Sequence, residues 1–230
     1  MAATSPTSDL LRALNEEAQN LFILLKTIES FCGTSGKVKL VNSIAPEFFV
    51  VVQDALVDAV ILSVSRLTDN QTRRDRSVTL ERVVDAAFQR PSSAEEVNVR
   101  KKISDLKQLC QPLRERRNKG LAHNDEVYAT GIKPLPAVSA QQFADAASLV
   151  QEIVNDIQKQ VGVPQTGFDG GWIKTGGDLL LQKLVWAHRW EQQEEAKYAG
   201  SRLSVSKNEI ENTDWTADRP IPNSLPTSSS

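Results

Sequence analysis

Arg117 and His123 lie six positions apart in the run Leu113-Arg114-Glu115-Arg116-Arg117-Asn118-Lys119-Gly120-Leu121-Ala122-His123-Asn124-Asp125. Histidine changes charge most readily near neutral pH, which suits it to general acid–base work. Arginine stays charged and offers a planar fork of donors that fits phosphate or carboxylate oxygens. The position of Arg117 sharpens the signal. Val99, Ile103, Leu106, Cys110 and Leu113 step by three and four along one helical stripe, and Arg117 comes next on it. A guanidinium where a core leucine is expected must find an anion, a hydrogen-bonding partner or a wet cleft, because burying it unpaired is costly.

Several helices must carry this run. Ser8-Asp9 opens the first, with Leu11, Leu14, Ala18, Leu21, Leu25, Ile28 and Cys32 on one face, and Gly33 to Gly36 breaks it. Pro46 suits the first turn of the next. That helix is apolar almost all round and is expected at the centre of a bundle. Asp54, Asp58, Ser65 and Asp69 share its narrow polar strip, placed to pair with arginines of the signature helix. Arg66, at the strip's edge, is placed to pair internally with Asp69 at the helix end. A polar loop with Arg73, Arg74 and Arg76 leads to a short helix from Thr79 that stops at Pro91. Ser93-Ala94-Glu95-Glu96 reads as a capping box opening the signature helix, which Pro112 should kink near Gln108 or split in two.

A second capping box, Ser139 to Gln142, opens the last clear stripe, Phe143, Ala146, Val150, Ile153, Ile157 and Val161, and Gly162 and Pro164 stop it. Glycine-rich Thr166 to Gly177 lacks the preceding strand and the Gly-Lys-Ser/Thr ending of a phosphate cradle. Asp178 to Tyr198 forms an amphipathic arm for packing or docking, with His188 and Arg189 between Trp186 and Trp190. The fold class is therefore all-α: a bundle of four to five helices, a C-terminal helical arm and a disordered tail. The expected division is 1–8 disordered, 9–163 helical domain, 164–200 glycine-rich loop and arm, and 201–230 tail.

Composition narrows the function. At 230 residues, 40% apolar, the chain holds one domain plus extensions, and a formal charge of −2 advertises no global attraction to nucleic acid. Cys32 and Cys110 fall on apolar stripes, as reduced core residues of a cytosolic protein do. The first eight residues lack the charged and apolar regions of a signal peptide. The most apolar window, Phe48 to Leu67, contains Asp54 and Asp58 and is read as a buried helix rather than a membrane span. A soluble, cytoplasmic protein without membrane partners is expected. Two histidines and two distant cysteines leave no ligand-spaced metal set, and no cofactor is expected.

Arg117-Asn118, four further residues and His123 resemble the arginine–polar–x4–histidine signature of HEPN domains, small helical ribonucleases common in toxin–antitoxin and phage-defence systems. The fuller Arg-Asn-Lys-Gly-Leu-Ala-His is similar to their abortive-infection branch, as is Ser65-Arg66-Leu67-Thr68-Asp69; together the similarity covers residues 9 to 162. The resemblance implies a metal-independent endoribonuclease, a toxin or abortive-infection effector, with Arg117, Asn118 and His123 catalytic. Arg66, Asp69, Arg116, Lys119 and Asp125 would support the site or bind RNA. It also implies a 2′,3′-cyclic phosphate product, a homodimer with two facing signatures, and an antitoxin or defence-system partner.

In such chemistry a histidine takes the 2′-hydroxyl proton and an arginine stabilises the crowded phosphorane. Asn118 would orient either the histidine or the phosphate. In an unbroken helix Arg117 and His123 point about 240° apart. Three arrangements would still pair an arginine with His123: the helix ends at Gly120 and the chain swings back, Arg116 substitutes within about 20° of the same face, or Arg117 meets the histidine of a second copy. Arg100, Lys101, Lys102, Lys107, Arg114, Arg116, Arg117 and Lys119 against Asp105 and Glu115 suggest a local basic surface for RNA. The competing accounts are a catalytically silent HEPN scaffold that binds nucleic acid or a nucleotide, and a helical interaction protein in which Arg117 is a structural ion pair with the acidic strip.

Overall fold

The computed structural model describes residues 6–70, 77–88, 93–122, 126, 130, 132–168 and 177–197. Among them are α1 (Pro6–Cys32), α2 (Ser35–Ile44), α3 (Pro46–Thr68), α4 (Leu80–Ala87), α5 (Ala94–Leu109), α6 (Gln111–Arg116), a π-helical segment (Arg117–Ala122), α7 (Ala140–Val161) and α8 (Gly177–Lys197). No strand occurs among the described residues. The chain separates into two compact units, residues 1–185 and 186–230.

The first unit holds the core. α1 packs against α3, α4 and α7, and α5 packs on α7. Leu14, Leu21, Ile61, Leu67, Leu80, Leu106, Leu113, Ile153 and Ile157 are fully buried where these helices meet. Burying each such side chain contributes about 1.5–3 kcal/mol. Thr79 and Ser93 cap α4 and α5, each accepting a hydrogen bond from a backbone amide three residues on. The capping box of α7 is complete, its Ser139 and Gln142 satisfying each other's backbone N–H groups. Gly162 ends α7 at φ 74°, a left-handed conformation that glycine adopts without penalty. At Ser93 the serine half of the box forms, and the Glu96 carboxylate engages Arg100 at 2.8 Å.

The split expected at Pro112 is present, and three other features differ from expectation. Pro112 splits the signature helix at Cys110 into α5 and α6, as the missing N–H and the ring's steric demand allow. α1 ends at Cys32, as Gly33 predicts, but the chain re-enters a helix at once. Thr34 caps a further helix, α2, and Gly36 sits in its first turn, where helical hydrogen bonds are not yet required of it.

The second difference is α3, which is not central along its length. Its C-terminal half is buried, whereas Phe48 and Val51 are 61% and 67% exposed. α4, α5 and α6 pack on α3, but the N-terminal half meets only a smaller cluster of Phe31, Val41, Phe49 and Leu181. By length and composition alone α3 is apolar enough to cross a membrane.

The third difference lies beyond residue 163, where packing continues. Phe168 is buried against Phe22, with ring centroids 5.3 Å apart. Gln158, 1% exposed, bolts this stretch down. Its amide nitrogen donates to Asn15 at 3.1 Å and to Thr166 Oγ1 at 2.8 Å, and its oxygen accepts from the Thr166 N–H at 2.8 Å. Residues 1–5, the 71–76 loop with its three arginines, Pro91, residues 169–176 and the 198–230 tail lie outside the described residues.

Gln158→Leu leaves three part-buried polar groups, on Asn15 and Thr166, unmatched. It is expected to lower stability by about 1–3 kcal/mol, measured as a fall in urea or thermal midpoint.

Candidate functional site

The site forms where α3 ends. The last carbonyls of a helix lack intrahelical partners and sit at the negative end of its dipole, so a cation there is favoured. Arg114 of α6 supplies it: Nη2 donates to the Thr68 carbonyl and Nε donates to Thr68 Oγ1 at 3.3 Å. Asp69 then leaves the helix in an extended conformation. Its two carboxylate oxygens receive Nη1 of Arg117 at 3.1 and 2.9 Å. Nε of Arg117 donates to Asn118 Oδ1 at 3.0 Å. The side chains of Arg117 and Asp69 are 24% and 36% exposed. The anion required by an inward guanidinium is thus Asp69, and Asn118 orients the arginine.

Arg117 also begins the π-helical segment, and such widened turns recur at functional sites. The helical path does not end at Gly120 but continues to Ala122. Rotation at 100° per residue therefore does not describe the run between Arg117 and His123. A β-carbon at Gly120 would lie 3.0 Å from Leu135 Cδ1 of the following loop, a tight approach that the leucine side chain would have to relieve by a small shift. His123 and Asp125 lie outside the described residues.

The expected Arg66–Asp69 pair is not formed. Arg66 turns to α1 instead, its Nε and Nη2 reaching Glu17 Oε1 at 3.1 and 2.7 Å, where Ser63 joins them at 2.8 Å. Asp69 is taken by the more enclosed Arg117. Arg116 faces Asp58 of the acidic strip. Burial pushes the Asp58 carboxyl above its usual range, Arg116 pulls it down and Asp54 pushes it up again. Ser65, a turn before Asp69, is fully buried, and its Oγ has no partner among the described residues.

The local basic surface is mostly neutralised. Arg100 pairs with Asp85 at 2.7 Å and Glu96 at 2.8 Å, and Lys102 with Glu152 and Asp156, each at 2.9 Å. Lys107 pairs with Glu81 at 2.6 Å. These cations tie α5 to α4 and α7, so the charge run on α5 is an interlocked face rather than a phosphate track. Burial pushes the Cys110 thiol up to about 12 and raises that of Cys32. Neither cysteine is a poised nucleophile at neutral pH. A groove of about 520 Å³ between α1 and α7, walled by Phe22, Leu25, Phe143 and Ala147, contains none of the signature residues. In the second unit, His188 contacts Gln192 at 3.1 Å and Glu191 at 3.8 Å, and Trp186 and Trp190 are exposed. Nothing in the sequence singled out Arg114, although a cation opposite a helix C-terminus is a recurrent arrangement.

The family model HEPN_AbiU2, described as AbiU2, matches residues 7–167. No curated protein and no solved structure matches the chain.

Arg114→Ala is expected to cost about 1–2 kcal/mol of stability, because it orphans a helix-end carbonyl. Arg117→Ala should cost under about 1 kcal/mol, since its pair is partly solvated. Chemical denaturation of the two variants separates these effects. Native protein at pH 8 should react with iodoacetamide far more slowly at Cys110 than the unfolded chain does, because the thiolate forms only as pH approaches the raised pKa; mass spectrometry of the labelled peptides checks it.

Proposed function

Because the chain belongs to the AbiU2 family of HEPN domains, an abortive-infection family, we propose that it is an RNA endonuclease acting as a toxin or abortive-infection effector. The observation that carries this reading is the placement of Arg117. It stands half-buried at the start of a π-helical turn, held by Asp69 and Asn118, with His123 six residues on. In the proposed reaction His123 accepts the 2′-hydroxyl proton, and the freed oxygen attacks the adjacent phosphorus. The bond to the 5′-oxygen then breaks and that oxygen takes a proton from solvent, leaving a 2′,3′-cyclic phosphate and a 5′-hydroxyl end. Arg117 stabilises the charge that builds on the phosphorane.

The internal nucleophile makes RNA the substrate and removes the need for a metal. Asp69 supports the arginine, Arg116 and Lys119 lie in the same stretch of chain to assist phosphate contact, and Asp125 follows His123 closely enough to support it. Arg66, committed to Glu17, supports α3 rather than RNA. We further propose a homodimer, a cytoplasmic location and an antitoxin or defence-system partner, all of which rest on the family.

A second reading is favoured by one observation: the Arg117–Asp69 pair itself is what a purely structural arginine would make. Purified protein incubated in EDTA with end-labelled transfer RNA separates the two. Cleavage leaving cyclic phosphate ends is expected, reduced by about 10²-fold or more in Arg117→Ala and in His123→Ala. RNA binding without cleavage selects a silent scaffold. A wild type that neither binds nor cleaves, with Arg117→Met equally or more stable, selects the structural arginine.

A further inference from the structure

Resting on that reading, we propose that Asp69 is an internal occupant of the phosphate-binding face of Arg117, so that RNA engages the site by exchanging with this carboxylate. An arginine holds a phosphate best through two parallel N–H bonds on one edge of its fork. In the resting site each edge has one of its two nitrogens committed. Nη1 is straddled by both Asp69 oxygens at 3.1 and 2.9 Å, and Nε is spent on Asn118 at 3.0 Å. Among the described residues Nη2 has no partner, which leaves a single nitrogen for an incoming anion. A two-point grip on phosphate therefore requires one of the two contacts to open.

The Asp69 contact is the one built to open. A carboxylate straddling one nitrogen forgoes the parallel two-nitrogen fork, the stronger geometry for an ion pair. The pair is partly solvated, at 24% and 36% exposure, and is correspondingly weak. Asp69 also lies past the end of α3, outside its hydrogen-bond ladder, so its release unwinds no helix. Arg114 meanwhile keeps the Thr68 carbonyl closed, and the helix end survives the exchange. The carboxylate thus keeps a partly enclosed guanidinium compensated until an RNA phosphate, of equal charge but spanning two nitrogens, replaces it.

The test uses the full chain and a fluorescein-labelled single-stranded RNA carrying 2′-O-methyl groups, which binds without being cut. Fluorescence anisotropy should show Asp69→Asn binding about 2- to 5-fold more tightly than wild type, the strength of a solvated ion pair. The gain should vanish when Arg117→Ala is added. A gain that persists without Arg117 overturns the proposal, because it then reflects only the loss of one negative charge. Unchanged or weaker binding by Asp69→Asn, or no RNA binding by either protein, overturns it too. Asp69→Ser serves as a second variant, with circular dichroism melts confirming that each protein is folded. Cleavage of unmodified RNA is scored separately: tighter binding without cleavage sinks the ribonuclease and leaves the exchange standing, whereas cleavage without tighter binding does the reverse.

Discussion

A helix that ends inside a packed domain must hand its last carbonyls to something, and the end of α3 meets that demand with arginines from the next layer. Arg114 takes the Thr68 carbonyl, and Arg117 takes the carboxylate of the residue that follows. The two arginines lie three positions apart, on adjacent faces of one helical path, and reach adjacent residues of α3. The signature run is therefore not appended to the bundle. It closes the bundle's most apolar helix, and any movement of Arg117 is felt where α3 stops.

Charge is used the same way elsewhere. Six positive groups on α5, α6 and the π-helical segment meet carboxylates or carbonyls on α3, α4, α5 and α7, joining helices that are far apart in sequence. This arrangement costs little because most of these cations are long side chains whose heads stay partly in water while their stems cover apolar surface. It also explains how a strongly basic stretch sits in a chain of formal charge −2 without creating an open positive field.

Much of this was legible from residue order. The periodicity of α1 and α7, both capping serines, the proline that divides α5 from α6, and the odd arginine on the apolar stripe all follow from local rules. The missed parts are tertiary. Arg66 and Arg117 compete for one carboxylate, and nothing local to Arg66 shows that Glu17 of α1 stands ready for it. The exposure of Phe48 and Val51 likewise depends on where neighbouring helices stop, since an apolar run looks the same whether or not another helix covers it. α2 was hidden by its glycines, which read as punctuation although Thr34 and Ser35 carry the start of a helix. The π-helical segment has no periodicity of its own in six residues, so rotation arithmetic from an α-helix could not place His123.

Partial enclosure decides what the central arginine is able to do. A fully buried Arg117–Asp69 pair would be locked, because separating it would strand two desolvated charges. A fully exposed one would be screened and would select no geometry. At 24% and 36% exposure the pair lies between these limits. Its direction is set by Asn118 and by the end of α3, while its free energy stays small beside that of the surrounding apolar core. The fold therefore leans on Arg114 for the helix end and on buried aliphatics for cohesion, and Arg117 is the member of the cluster that the structure holds in position without needing it to stay bound. That combination, a cation aimed by the fold but not consumed by it, is what an anion-binding group requires.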